Sequence, residues 1–262
     1  MGLFSRLSRG GSAAGMPVRR GKAGARAYAV GDIHGCRVLL DDLLDRIERD
    51  LAGRAPRKTW VVFLGDLIDR GPDSAGVVER LRGWRPEGAT PVFLAGNHEE
   101  VFLRVLGGEP EILADWLKFG GAECLESYGL DPEALARLEP EAAVERIRAS
   151  VPDSHVEFID SFADTFRFGD YLFVHAGIRP GIELGEQDPF DLRWIREPFL
   201  SEPDGARGPL VVHGHTIAAQ VEERAHRIGL DTGAYQTGVL TALGIEDEAR
   251  WYLSTADREE AR

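Results

Sequence analysis

Cysteine is scarce in this chain. Cys36 and Cys124 are the two in 262 residues. That is too few for a disulfide framework, and both read as free thiols in a reducing compartment. No apolar run approaches the roughly 18 residues of a membrane span, so no transmembrane helix is expected. MGLFSRLSRGGSAAG lacks the apolar core of a secretory signal, and none follows Arg19-Arg20. MGLFSR fits the myristoylation pattern poorly. The expected location is cytoplasmic. Positive charge is also short: 31 Lys+Arg face 44 Asp+Glu, a formal net charge of −13. An acidic body argues against nucleic acid and anionic lipid as partners.

The positive charge that exists is unevenly placed. Arg6, Arg9, Arg19, Arg20, Lys22 and Arg26 all precede the first acidic residue, Asp32. With its Gly, Ser and Ala content, segment 1–26 reads as a disordered basic tail. A single domain is expected over 27–255.

From Ala27 the pattern becomes α/β. AYAVGD, WVVFLGD (60–66) and PVFLAGNHE (91–99) are apolar runs ending at polar turns. Helical spacing follows each, in CRVLLDDLLDRIERDL, DSAGVVERLRGW and EVFLRVL. Three strand–loop–helix units predict adjacent, mainly parallel strands. Segment 107–165 lacks strand signals and reads as a helical insertion. YLFVHAG, PLVVHGHT, RIGLDTGAY, GVLTALGIED and ARWYLST then predict mixed or antiparallel strands.

The chemistry-bearing residues fall at strand ends: GDIHG (31–35), GDLIDRG (65–71), GNHEE (96–100), HAG (175–177) and HGHT (213–216). Five of the seven histidines lie in these turns. Taken singly, a Gly-Asp after a strand is a turn or helix cap. Taken together, the turns place Asp32, His34, Asp66, Asn97, His175, His213 and His215 where α/β sheets hold ligands. These O and N donors suit divalent cations, and they suffice for two ions sharing a carboxylate. Asp73 and Glu99 read as helix-start carboxylates. His155 and His226 fall outside all the motifs and read as surface residues. Cys36 follows GDIHG, lacks a cysteine partner for a soft-metal site, and reads as a packing residue.

These five motifs, in this order, resemble the calcineurin-like metallophosphoesterases. GDLIDRG with GNHE is similar to their phosphoprotein phosphatase branch, in particular to bacterial serine/threonine protein phosphatases. WLKFGGAECLESYG, DLRWIREPF and LDTGAYQTG resemble further segments of those proteins. The resemblance implies a β-sandwich flanked by helices, with the site at strand ends. It implies Asp32 and His34 on a first metal, Asp66 bridging, and Asn97, His175 and His215 on a second. His213 is left as the alternative to His215. Two divalent ions are implied, Mn²⁺ by family, with Fe²⁺ or Zn²⁺ also compatible.

The implied reaction is in-line attack of a metal-bridging hydroxide on a phosphate monoester. Arg70 and Arg196 resemble the phosphate-binding arginines, with Arg193 competing for the second role. His98 resembles the general acid and Asp69 its orienting partner. Asp231 and Tyr235 match a loop near the site and are either functional or structural. The expected substrate is phosphoserine or phosphothreonine in a protein or peptide. A symmetrical diadenosine tetraphosphate hydrolase is the alternative, since GDIHGC is shared with those enzymes. A catalytically silent binding module is the alternative of another class; none of the ligands is missing.

Overall fold

β1, Ala25–Val30, alternates strictly between two apolar environments. Ala25, Ala27 and Ala29 face one core, while Tyr28 and Val30 face another. That alternation is the signature of a strand buried on both faces. The computed structural model describes residues 18–203 and 208–256. Chain order continues with α1 (Arg37–Ala52), β2 (Lys58–Phe63), α2 (Ser74–Arg82), β3 (Ala89–Phe93) and α3 (Asn97–Gly107). The insertion supplies α4 (Leu113–Trp116), α5 (Ala122–Ser127), α6 (Pro132–Leu135), α7 (Pro140–Ser150) and α8 (Asp153–Asp160). Then come β4 (Thr165–Phe168), β5 (Tyr171–Val174), α9 (Pro189–Trp194), β6 (Leu210–His213), β7 (Glu222–Glu223) and β8 (Arg227–Gly229). α10 (Ala234–Thr237), β9 (Thr241–Glu246) and β10 (Ala249–Ser254) close the order.

The strands form two five-stranded mixed sheets, ordered β10-β9-β1-β2-β3 and β4-β5-β6-β8-β7. β1, β2 and β3 are parallel, as the strand–loop–helix pattern predicts. β5, β6 and β8 are parallel in the second sheet. The sheets face each other across Ala27, Val62, Phe173, Val212, Ile228 and Leu243, all fully buried. On the outer face of the first sheet, Tyr28, Val61 and Phe63 share a core with Leu40, Leu81 and Phe102 of α1–α3. Leu125, Val144, Ile147 and Ile159 of the insertion join the same core. On the outer face of the second sheet, Val174 and Val211 pack with Leu192, Ile195 and Phe199. The result is a β-sandwich with helices on its outer faces.

One boundary differs from the expected one. Residues 1–17 of the basic tail lie outside the described residues, but Ala25 and Arg26 are already in β1. Arg26 is only 2% exposed and its guanidinium is paired with Glu246 of the neighbouring β9. A charge read as part of a solvated tail is thus a strand residue held by a cross-strand partner.

Candidate metal centre and cleft

Strand register brings the polar turns together. Val30 pairs with Phe63, and Phe63 with Phe93, so three parallel strands end level. The turns after them carry Asp32, His34, Asp66 and Asn97. In the second sheet Phe173 pairs with Val212 and His213 with Gly229, which levels His175, His215 and Asp231 in the same way.

Asp66 is the centre of the group. Its Oδ2 lies 3.5 Å from His34 Nε2 and 3.9 Å from His98 Nε2, and its Oδ1 lies 3.4 Å from His175 Nε2. Asp66, His175 and His215 present donor atoms within 4.8 Å of one another, as do His34, Asp66 and His98. Asn97 Oδ1 sits 3.0 Å from His175 Nε2. Asp32 Oδ2 accepts the backbone N–H of His215 at 2.9 Å. A Cβ on Gly214 would come within 1.9 Å of Asp32 Oδ1, so only glycine leaves room for that carboxylate.

The donor set fits divalent cations. Asp32 Oδ1 is buried with no hydrogen-bond partner, which is costly for a carboxylate unless something positive meets it. His34 Nδ1 lies 2.8 Å from the Ile68 carbonyl and His175 Nδ1 2.8 Å from the Leu64 carbonyl. A carbonyl only accepts, so each Nδ1 carries the proton and each Nε2 is turned toward Asp66. His213 is not in either donor group. It packs edge-on against Phe199, ring centroids 5.2 Å apart, with Nδ1 on the Gly214 carbonyl at 2.9 Å.

The electrostatics agree with a cation site. Burial drives His34 down to about 3 and His215 to about 2. Burial would lower His175 too, but Asp66, then Asp32 and Glu99, push it up to about 10. A cation held by His175 would displace that proton, so binding there would release it. Burial and then Asp231 raise Asp32 well above the usual carboxylate range. Burial opposes ionisation of Asp66, but His175 and His98 hold it well below that range. Asp231 is raised by burial, and the Asp66 charge adds to the rise.

The backbone here is strained. His34, Asp66, Asp69, Arg70 and His215 all have φ between +46° and +72°. Among the described residues the one other non-glycine with positive φ is Asp247, in the turn before β10. Each such residue costs about 1–3 kcal/mol and persists only where surrounding structure over-determines it. Asp and His tolerate this conformation better than Arg.

The expected acid pair is in contact: His98 Nδ1 lies 2.6 Å from Asp69 Oδ2. Burial would lower His98, but Asp66 and Asp69 outweigh it and raise it. His98 Nε2 faces Arg70 Nη2 at 2.9 Å. Arg70 also lies over the Tyr235 ring, 5.0 Å from its centroid, and that ring meets His34 edge-on. Beside these groups opens a cleft of about 510 Å³. Arg70, Asn97, His98, Arg196 and His215 form its polar floor, and Val101, Ile112, Trp116, Phe119 and Trp194 its apolar wall. Arg196 is held by Thr216 Oγ1 at 2.8 Å. The competing Arg193 is instead committed to Asp164 and Glu100 at 2.7 and 3.3 Å.

Two helix-start carboxylates behave as expected. Asp73 caps α2 by accepting the Gly76 N–H at 2.9 Å, and Glu99 stands in the first turn of α3. The surface reading of His155 and His226 is corrected: they are 6% and 5% exposed. His155 is tied to the Tyr128 hydroxyl at 3.0 Å and Glu79 at 3.1 Å, while His226 packs edge-on against Phe199. Sequence reading missed Trp116, Phe119 and Trp194 as cleft residues. Their only signal was membership of the WLKFGG and DLRWIRE segments.

Residues 25–236 match the calcineurin-like phosphoesterase family, and the chain belongs to it. The chain is 29% identical over 224 residues to serine/threonine-protein phosphatase 1 of Salmonella typhimurium, covering 84% of this chain and 91% of that one. It is 28% identical over 283 residues to a symmetrical bis(5'-nucleosyl)-tetraphosphatase of Paracidovorax citrulli, covering 88% and 94%. A solved structure provisionally named as a diadenosine tetraphosphatase shares the fold, with TM-score 0.58 and 22% identity over 90% of this chain and 96% of that one. The chain is therefore a phosphoesterase of the kind that uses divalent metals. Among the described residues no helix is long and apolar enough to cross a membrane.

Proposed function

We propose that this calcineurin-like phosphoesterase is a phosphomonoesterase acting on phosphoserine and phosphothreonine in proteins. One observation carries the chemistry: the Nε2 atoms of His34 and His175 meet the Asp66 carboxylate, and His215, which groups with Asp66 and His175, lines a cleft that also holds Arg70 and Arg196. Asp32, His34 and Asp66 would hold one divalent cation; Asp66, Asn97, His175 and His215 would hold the other. Mn²⁺ is the favoured ion, and Fe²⁺ or Zn²⁺ suits the same donors. Such ions, when bound, supply Lewis acidity and an activated water.

The remaining steps belong to side chains. Arg70 and Arg196 face the cleft and would grip the phosphoryl oxygens, using planar forks that lysine lacks. His98 donates a proton from Nε2 to the departing alkoxide. Asp69 holds Nδ1, which fixes the ring and favours its protonated form. His98 is kept as acid, although it also groups with His34 and Asp66, because its Nδ1 is held by Asp69 and the residue lines the cleft; the Arg70 Nη2 donor that its Nε2 accepts would turn to the phosphoryl group when substrate binds.

A protein substrate is supported by the open apolar wall and by the net charge of −13, which repels a tetraphosphate at long range. The dinucleotide reading has its own support. Trp116, Phe119 and Trp194 offer aromatic surface on which a base could stack. A cytoplasmic setting is supported by two free thiols, Cys36 and Cys124. The test is phosphate release by chelator-stripped, Mn²⁺-reloaded protein on phosphoserine, phosphothreonine and phosphotyrosine peptides beside diadenosine tetraphosphate. Faster turnover of the phosphoserine and phosphothreonine peptides is expected. Preferential dinucleotide cleavage would overturn the substrate reading and leave the metal residues in place.

A further inference from the structure

Asp69 is fully buried, and a buried carboxylate needs donors. Its Oδ2 has two: His98 Nδ1 at 2.6 Å and Trp116 Nε1 at 2.8 Å. An indole N–H donates and never accepts, so the direction of the second contact is unambiguous. Trp116 comes from the helical insertion, 47 residues along the chain from Asp69. It is 3% exposed, and the little surface it keeps lines the cleft.

The same stretch of the insertion braces the neighbouring residue. After Trp116 the chain kinks within Leu117–Gly121, where Phe119 and Gly120 leave helical dihedrals. The Gly120 carbonyl accepts the Arg70 N–H at 3.0 Å. Gly120 has φ +113°, and a Cβ there would lie 2.6 Å from Arg70 N. Gly121 packs against the indole, where a Cβ would meet ring atoms at 2.5 Å. The kink has a definite effect on its surroundings. Here it seats Trp116 against Asp69 and the backbone against Arg70. These are two adjacent residues in left-handed conformations, with φ +72° and +67°.

We propose that Trp116 is a positioning residue for proton transfer to the leaving group, its indole N–H holding the Asp69 carboxylate in line with His98. This rests on the reading of His98 as the acid. The ring also walls the cleft, so the two contributions must be separated. Trp116→Phe keeps an aromatic ring at the wall and removes the donor together with part of the indole's volume, whereas benzothienylalanine at this position removes the donor and keeps the volume.

The experiment compares kcat and KM of Mn²⁺-loaded wild type, Trp116→Phe and His98→Asn on p-nitrophenyl phosphate and on a phosphoserine peptide. Nitrophenolate leaves without help, whereas the serine alkoxide needs a proton. A general acid is worth roughly 10²–10⁴-fold, so for Trp116→Phe we expect kcat on the peptide to fall about tenfold, with changes under about twofold on the nitrophenyl ester and in both KM values. His98→Asn should show the same split, larger. Equal loss on both esters, unchanged kcat on the peptide, or a change confined to KM would overturn the role of Trp116. Loss of the split in His98→Asn would remove the acid itself, and the proposal with it. Benzothienylalanine at position 116 keeps the shape of the indole and replaces N–H by sulfur. It reads the same split should Trp116→Phe fail to fold.

Discussion

Glu99 holds Asp66 by its backbone and leaves the Asp66 carboxylate to the His98 N–H and the surrounding histidines. Glu99 Oε2 accepts the N–H of Asp66 at 2.8 Å and that of Gly96 at 2.9 Å, and Oε1 accepts the N–H of Leu67 at 2.7 Å. The turn after β2 is thereby tied to the start of α3, and Asp66 keeps its left-handed φ of +50°. Burial, then Asp66, raises Glu99 to about 7. A second acidic group stands behind the candidate metal centre without facing it.

Glu99→Gln replaces an acceptor pair by an amide whose N–H₂ would face backbone donors. We expect a loss of about 1–3 kcal/mol in unfolding free energy, the usual penalty for a buried group left unpaired. Metal content after gel filtration should fall with it. An unchanged urea midpoint together with unchanged metal content would contradict the bracing role.

Asp66→Asn should abolish phosphatase turnover and leave the fold intact. The backbone of Asp66 is anchored independently of its side chain: its N–H meets Glu99 and its carbonyl accepts the N–H groups of Ile33 and His34 at 3.1 and 2.9 Å. Circular dichroism and the melting curve check the fold. Wild-type rates in folded, metal-loaded Asp66→Asn protein would overturn the proposed bridging role of Asp66.

Arg196→Lys and Arg193→Lys should part company. Arg196 faces the cleft, so losing its fork should raise KM for phosphomonoesters roughly tenfold, the scale of one charge-assisted hydrogen bond. Arg193 ties Glu100 to Asp164 and should alter the melting temperature with KM unchanged. Steady-state kinetics with both variants decide the matter; the reverse pattern would exchange the two roles.

Asp50, on α1 and outside the candidate metal centre, offers a pH test. Burial would raise its carboxyl, but hydrogen bonds from Arg54, Tyr28 and Trp251 hold it below its ordinary 3.8. A depressed folded value means stabilisation at pH above 3.8, lost as pH falls through the folded value. Urea midpoints of wild type and Asp50→Asn should therefore differ at neutral pH and converge in acid. A gap that stays constant down to the lowest pH would show that charge is not the cause.

The alternation of strand, polar turn and helix through β3 was legible because each signal is local. Apolar period, a turn glycine and a ligating side chain lie within a few residues of one another. The turns at 31–35, 65–71 and 96–100 announce themselves, and parallel register then has to bring them level. Segment 107–165 was legible as helical for the same reason, since helix periodicity needs no partner.

What was not legible depends on residues distant in the chain. His213 and His215 have the same chemistry two positions apart. Only the packing of Phe199 against one and the proximity of Asp66 and His175 to the other separate them. Arg193 and Arg196 are three apart, and the acidic pair Glu100 and Asp164 draws the first away from the cleft. His155 and His226 carry no local mark of burial; it comes from Tyr128, Glu79 and Phe199. By itself the sequence determined which donors are present and that they sit at strand ends. Which of them face one another, and that Trp116 reaches Asp69, was decided by tertiary packing, because such contacts follow from side-chain volume and direction between elements that no sequence period relates.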